Sequence, residues 1–413
     1  MRVLLVGMGG VNAAFKNWTE PSLAHALTQR GHDVYSYSYL DPASSVQRLR
    51  DEDVEGVRVH RVSLGPVGFS WDLWQAMRRD RPPEIVHIHH LRNELAWQVM
   101  LYFQSRRIPV ILSPIGLLHD RFITDNRDDP FTQRLKLDNL IFNARDYIQH
   151  LSREFSPRKH LRNGLTHFPL GRANHLIALS EFEKGLFVQM GIPETRITVI
   201  PFAVDLPLID QALATGQPPR NWNYTRPIIL FIGQLKYRKG FDILIRAAPR
   251  VRAEFPTASF VFLTHNTSQR EAFMQLVDQV GARDYIYLVK QEGGPDTEPE
   301  KMRQYAASDL FAFPTRYEGF GIPLLEAMAC RVPIVSTRIP VIDEIIQDGE
   351  NGALSKLNNP DDLAAKMIGA LKDVEWRKRA EATGRARVET CYTEPRLAEL
   401  TEHVYRQALN RAR

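Results

Sequence analysis

The sequence predicts an α/β protein made of two similar halves, each a parallel sheet covered on both faces by helices. Three observations carry this expectation. Short apolar runs alternate with segments of helical period, the pattern of strands joined by crossover helices. The alternation lapses over Leu206–Arg226, which holds Pro207, Gly216, Pro218 and Pro219, and then resumes. The chain has 413 residues, more than one small core organises, so two or three domains are expected.

The elements follow in order. Val3 to Gly10 reads as a buried strand ending in Gly7-Met8-Gly9-Gly10. A helix follows, with Thr19 as N-cap, Leu23, Ala24, Ala26 and Leu27 on its apolar face, and Gly31 just past its end. A strand over Val34–Tyr39 completes a β-α-β start. Further strands are expected at Val57–Val62, Ile85–His89, Val110–Ser113, Leu176–Ala178 and Ile197–Ile200. The second half opens with Pro227–Gly233 and continues with Phe260–Thr264, Ile286–Val289, Leu310–Phe313 and Ile334–Ser336. From Asp361 to Arg413 the pattern is helical. The expected division is therefore 1–205, a linker 206–226, a second domain 227–390, and a C-terminal helix within 391–413. Ile148–Gly164 reads as an irregular basic insertion, with Arg153, Arg158, Lys159, His160 and Arg162 against Glu154. A solvated loop is its plainer reading; a face toward a membrane or an anionic acceptor is the other.

Composition sets limits. Hydrophobic residues make up 44% and charged residues 24%, as in ordinary globular chains. No apolar run approaches the ~18 residues of a spanning helix. The apolar start, Met1–Gly7, is too short for a signal peptide. Two cysteines, Cys330 and Cys391, suit a reducing compartment, so a cytoplasmic protein is expected. The net charge of +5 is too mild to choose among nucleic acid, membrane and phosphorylated ligands, and no nucleic-acid partner is expected. No metal site is expected either. Asp128-Asp129 reads as a turn, and His87 and His89 share a strand face in the manner of core-edge packing or substrate contact rather than zinc ligation.

The most informative stretch is Pro-Thr-Arg-Tyr-Glu-Gly-Phe-Gly-Ile-Pro-Leu-Leu-Glu-Ala-Met-Ala, from Pro314 to Ala329. Pro323 suits the first turn of a helix, which leaves Glu318 in the preceding loop and Glu326 about one turn inside. Gly319 and Gly321 let backbone N–H groups approach a ligand at a helix N-terminus with partial positive charge, an arrangement suited to a diphosphate. Glu326 could accept hydrogen bonds from a ribose, and Glu318 from a sugar ring. Either Glu alone reads as an exposed carboxylate or helix-dipole partner; the two flanking Gly-Phe-Gly-Ile-Pro are a far more specific signal. A second patch, Gly233-Gln234-Leu235-Lys236-Tyr237-Arg238-Lys239-Gly240, follows the first strand of the second half, where open α/β sheets bind ligands. Lys239 could neutralise a phosphate, helped by Lys236 or Arg238. A solvated basic turn is the alternative.

On these residues the chain resembles the retaining GT-B glycosyltransferases of the large glucosyl/mannosyltransferase group, the glycosyl transferases group 1. Ile200-Pro201-Phe202-Ala203-Val204-Asp205 resembles that family's Ile-Pro-Asn-Gly-Val-Asp, and Asp348–Gly352 matches a common turn. The resemblance is densest from 228 to 370. It implies two facing Rossmann-like domains with the active site in the cleft and the donor held mainly by the C-terminal one. It implies that Glu318, Gly319, Phe320 and Gly321 contact the donor sugar, that Glu326 holds the ribose and that Lys239 binds the diphosphate. Gly233, Gln234, Arg238, Ile322 and Leu324 complete the expected donor set. Gly9 and Gly10 would border donor phosphates and acceptor, and the last helices would cross back to the first domain. There are departures. Gln234 stands where the family commonly has Arg. Ile115 stands where a His is often found, leaving the offset His119 as the acceptor-side candidate. Arg331 replaces a C-cap Gly, at ~1 kcal/mol if the position stays left-handed. Pro340-Val341 falls where the family has Gly-Gly, ahead of Asp343-Glu344.

The expected activity is transfer of a hexosyl group from a UDP- or GDP-sugar to an acceptor hydroxyl, with retention, in polysaccharide, glycolipid or small-glycoside synthesis. The acceptor would be a carbohydrate or lipid-linked, with peripheral contact at the inner face of the membrane as an option. Glu318 and Lys239 would carry catalysis, without metal or cofactor beyond the donor, by front-face displacement with domain closure excluding water. The alternatives within the fold are a nucleotide-sugar epimerase, a phosphorylase, or a catalytically idle sugar-nucleotide-binding protein. A Rossmann dehydrogenase fits poorly, since Asn12 stands where the third glycine of its fingerprint would fall.

Overall fold

A computed structural model describes residues 1–12, 19–42, 47–65, 68–115, 140–291 and 297–412. Among them the chain forms two compact α/β units of Rossmann-like design. One runs as far as Ala203 and takes up the chain again at Glu394; the other is Val204–Thr393.

The first unit holds eight strands: β1 Arg2–Val6, β2 Asp33–Tyr39, β3 Asp51–Val54, β4 Val57–Val62, β5 Ile85–His89, β6 Val110–Ser113, β7 His175–Ala178 and β8 Ile197–Val199. Their order is β3-β4-β2-β1-β5-β6-β7-β8, all parallel except the β3–β4 hairpin. That hairpin turns on Glu55 and Gly56, both at positive φ (53° and 85°), the two-residue geometry that matches strand twist. β3 reads Asp-Glu-Asp-Val, so no apolar pattern announces it. The central β1 buries Val3 and Leu5 against Leu23 and Leu27 of helix Thr19–Gln29. The last helix, Glu394–Ala412, adds Leu397, Val404 and Tyr405 to the same core, and Glu402 accepts from the Arg30 guanidinium at 2.6 Å.

The second unit holds β9 Ile228–Ile232, β10 Ser259–Thr264, β11 Ile286–Lys290, β12 Leu310–Phe313, β13 Ile334–Thr337 and β14 Ala353–Ser355, in the order β11-β10-β9-β12-β13-β14. Every pairing is parallel. Such strands are covered on both faces and read as continuous apolar runs, which is why Ile228–Ile232 and Leu310–Phe313 were plain in the sequence.

Two segments depart from expectation. Leu206–Ala214, expected as linker, is a helix of the second unit. Asp205 caps it by accepting from Leu208 N at 2.9 Å, Pro207 sits in its first turn, and Ile209 and Ala212 are buried. Arg385 clamps its Asp210 bidentately at 2.7 and 2.8 Å. Pro207 starts this helix rather than preventing one. The expected irregular insertion at 148–164 lies in two helices, Ala144–Arg153 and Pro157–Arg172. Asn143 caps the first by accepting from Arg145 N and Asp146 N at 2.9 and 3.1 Å. That helix buries none of its residues, so no core-facing stripe marked it.

Arg331 has φ +57° at the end of helix Ile322–Ala329. Val332 N reaches Ala327 O at 2.9 Å and Arg331 N reaches Met328 O at 3.0 Å, the paired bonds of a Schellman cap. We expect Arg331→Gly to raise unfolding free energy by ~0.5–1 kcal/mol in urea titration, because it removes the Cβ penalty at a left-handed position.

His87 is buried between elements of the first unit. Its Nδ1 lies 2.8 Å from Tyr405 OH, its Nε2 2.7 Å from Ser113 Oγ, and its ring stacks on His89 at 4.2 Å. Burial pushes the His87 pKa down from 6.5 to about 3. The unfolded chain therefore binds a proton that the folded chain refuses. Stability is full above pH 6.5 and falls as acid approaches pH 3, at up to ~1.4 kcal/mol per pH unit from this group. Urea midpoints measured across that window should fall with acid, and His87→Gln should flatten the slope.

Candidate active site

The site is built at the carboxyl edge of the second sheet. β9 and β12 are neighbours, with Leu310 opposite Ile229 and Phe311 opposite Leu230. From this pair the sheet grows both ways, through β10 and β11 on one side and β13 and β14 on the other. It is the topological switch point, where the loops after the strands part and open α/β sheets bind ligands.

The loop after β9 carries Gly233–Gly240. Gly233 N donates to Leu263 O at 3.0 Å, and Gln234 Nε2 lies 3.2 Å from His265 Nε2. Gly240 ends the loop at φ +69°, and a Cβ there would sit 1.8 Å from Pro314 O. Only glycine lets the two loops approach this closely. The loop after β12 is bolted to it. Arg316 N donates to Arg238 O at 2.7 Å. The Arg316 guanidinium grips Asp242 at 2.7 and 2.8 Å, donates to Asn358 Oδ1 at 2.7 Å, and lies 3.5 Å from the centroid of the Tyr237 ring.

This junction brings Lys239 and Glu318 together. The Lys239 ammonium donates directly to Glu318 Oε1, and Arg238 Nη1 lies 3.5 Å from the same oxygen. The Thr315 hydroxyl is within hydrogen-bond distance of Arg238 O (2.9 Å), Tyr317 O (3.0 Å) and Glu318 Oε1 (3.2 Å), and can donate to one at a time. Lys239 and Glu318 are both buried. Burial lowers the Lys239 pKa from its ordinary value, with Glu318 pulling the other way.

Helix Ile322–Ala329 begins at Gly321, whose φ of 119° needs glycine, with Pro323 in its first turn. A Cβ at Gly319 would meet nothing within 4 Å, so no packing in the described chain demands glycine there. Phe320 is buried, its ring 6.0 Å from Tyr392, and Ile322 is half-buried. The Leu324 side chain is fully buried, and its N–H donates to Gly321 O at 2.9 Å. Glu326 is buried and tied. Lys301 Nζ donates to its Oε1 at 2.8 Å, and Tyr305 OH to its Oε2 at 3.1 Å. Lys301 also pairs with Glu298 at 2.8 Å. Burial opposes the Lys301 charge, but Glu326 and Glu298 outweigh it and push the ammonium pKa up.

Thus Gly233, Gln234, Arg238, Lys239, Glu318, Gly319, Gly321 and Glu326 lie on two adjoining loops and the helix that follows. Gly9 and Gly10 belong to the first unit. There Gln47 Nε2 donates to Met8 O and Gly9 O at 2.8 and 3.0 Å. Gly10 has φ +62°, and its Cβ would fall 2.4 Å from Ser38 Cβ, so packing alone requires that glycine. His119 lies outside the described residues. Sequence reasoning missed the clamp Arg316–Asp242 and the positioning pair Lys301 and Tyr305, whose partners are distant in sequence. It also missed Glu20, buried in the first turn of helix Thr19–Gln29 with its carboxylate 3.3 Å from His90 Nε2. Burial would raise the Glu20 pKa, but His90 and His89 hold it below the ordinary value. Among the described residues no three His, Cys, Asp or Glu side chains are grouped to hold a metal ion.

Two Rossmann-like units are the architecture of the GT-B fold. Comparison with known proteins agrees. The profile for Glycosyl transferases group 1 matches residues 216–387, and that for a Glycosyl transferase 4-like domain matches 20–203. The chain belongs to the group 1 glycosyltransferases. It is 26% identical over 319 residues to the O-antigen chain mannosyltransferase B of Escherichia coli, covering 70% of this chain and 80% of that one. It is 26% identical over 415 residues to the D-inositol 3-phosphate glycosyltransferase of Paenarthrobacter aurescens, covering 97% and 94%. Among solved structures, sucrose-phosphate synthase from Thermosynechococcus elongatus superposes with TM-score 0.73 at 18% identity, covering 100% of both chains, a likeness of fold.

The two glycines of the site give a paired test. Gly240→Ala meets Pro314 O and a left-handed φ, and should cost at least ~2 kcal/mol in denaturant titration. Gly319→Ala meets no atom and should change stability by less than ~0.5 kcal/mol.

Proposed function

We propose that this chain moves a hexosyl group from a UDP- or GDP-sugar to a hydroxyl of a carbohydrate or lipid-linked acceptor, with retention of anomeric configuration. The observation that supports this most strongly is the meeting of Lys239 and Glu318 at the β9–β12 switch point, beside the N-terminus of helix Ile322–Ala329. Enzymes of this family take nucleotide-sugar donors.

In this reading the diphosphate sits between Lys239 and the glycine-lined entry to the helix. An arriving diphosphate gives the buried ammonium a second anion, while Glu318 stays beside it to accept hydrogen bonds from the sugar. Glu326 receives the ribose hydroxyls on the lone pairs that Lys301 and Tyr305 leave open. Those two donors fix its orientation. As the bond from the anomeric carbon to the phosphate oxygen breaks, charge grows on the leaving diphosphate and is met by Lys239 and Arg238. The acceptor oxygen bonds to the same face of that carbon, and its proton passes to the leaving phosphate. No protein nucleophile enters. Since two cationic side chains supply the charge, the rate should survive chelation of divalent ions.

A thermal-shift screen against UDP-, GDP-, ADP- and TDP-sugars should single out one donor, because a ligand that binds only the native state raises its stability. With that donor, Lys239→Ala and Glu318→Ala should each lower kcat/KM by at least ~100-fold. Wild-type rates in both variants would reject the assignment.

A further inference from the structure

The first unit has a switch point of its own, which the donor reading does not use. Its sheet grows outward from β1 through β2 and β4 on one side and from β5 through β6 on the other. The loops after β1 and β5 part there, the place where open α/β sheets take a ligand. Just past β1, Gly7 has no side chain to spare: a Cβ would fall 2.0 Å from Glu20 Oε1. Glycine thus admits the Glu20 carboxylate onto the end of the strand.

That carboxylate is 1% exposed, and neither oxygen has a hydrogen-bond partner among the described residues. A carboxylate so buried is costly unless a charge or donor faces it. The group facing it is His90, whose Nε2 stands 3.3 Å away. His90 itself has φ +70°, a left-handed backbone that is uncommon outside glycine and gathers at functional sites. The end of β6 holds it there: His90 N–H donates to Ser113 O at 2.9 Å and Leu91 N–H to Pro114 O at 2.7 Å. The side chain is 25% exposed. A carboxylate beside Nε2 favours the ring form with its proton on that nitrogen, which leaves Nδ1 to accept. No described residue donates to His90 Nδ1.

We infer that His90 is a substrate-binding residue of the first unit, its Nδ1 accepting a hydrogen bond from a hydroxyl of a sugar or polyol acceptor, and that Glu20 is the positioning residue that sets the ring. This rests on the transferase reading. That reaction joins two substrates; the second unit's switch point takes the donor, and the acceptor is the ligand left for the first. The sequence offered an acceptor-side imidazole only at His119, after β6, with Ile115 where a histidine was expected. The fold presents one from the neighbouring strand, beside Ser113-Pro114. His90 orients the acceptor and takes no part in making or breaking bonds; the proton of the attacking hydroxyl still passes to the leaving phosphate.

The test uses the full chain with the donor found by thermal shift. Methyl α-mannoside, methyl α-glucoside, methyl β-galactoside and myo-inositol serve as acceptors, and the one that the wild type glycosylates fastest is carried forward. His90→Asn should raise the acceptor KM by roughly threefold to tenfold, the loss of one hydrogen bond, while the thermal shift given by the donor is kept. Asparagine tolerates left-handed backbone, so the fold should hold. Glu20→Gln should raise the same KM by less. Added to His90→Asn it should raise KM no further, because both act through one contact; a Glu20 with a merely structural role would add its effect in full. An unchanged acceptor KM in His90→Asn, or additive effects in the double variant, would overturn the inference. If His90→Asn loses the donor's thermal shift, Glu20→Gln carries the test, and an unchanged acceptor KM there overturns it. Transfer by the wild type to none of the four would instead overturn the carbohydrate-acceptor reading, and this inference with it.

Discussion

The second unit depends on one close contact: the loop after β9 and the loop after β12 meet with no room for a side chain at Gly240. Everything chemical at the site follows from that approach. It lets Arg316 reach back to Asp242 and brings the ammonium of Lys239 onto Glu318. A buried ion pair of this kind contributes little net stability, because desolvation offsets the attraction. Arg316 already ties the loops together, with a bidentate grip and stacking on Tyr237. Lys239 and Glu318 are therefore better understood as charges held ready for a ligand than as a fastening.

Glu326 extends the same logic one helical turn further. Held by Lys301 and Tyr305, its carboxylate cannot rotate freely. A group fixed in this way meets a ligand without first giving up rotamer freedom. The cost is a largely desolvated cluster of one ammonium and two carboxylates, Glu326 buried and Lys301 and Glu298 half-buried. In such a cluster the positioning groups matter as much as the residue that touches the ligand.

Much of this was legible in the sequence, and for identifiable reasons. Strands buried on both faces, such as Ile228–Ile232, announce themselves as apolar runs. Pro323 and the glycines marked the helix entry, and the pairing of the Lys239 and Glu318 motifs pointed to the family. What was hidden depends on long-range partners or on edges. Arg316 reads as an ordinary surface residue until Asp242 is beside it. Charged β3 has no apolar pattern, and Leu206–Ala214 looked like linker because Pro207 at a helix start resembles a proline that ends one, with Pro218 and Pro219 close behind. Helix Ala144–Arg153 has apolar residues that face away from the core, so its period carried no burial signal.

The central claim is tested most directly by the electron density of the protein crystallised with the nucleoside diphosphate of its donor. The account predicts a pyrophosphate within hydrogen-bond distance of Lys239 Nζ and of the backbone at 319–322, with the ribose at Glu326. A pyrophosphate bound elsewhere, with Lys239 and Glu318 still paired and untouched, would contradict it.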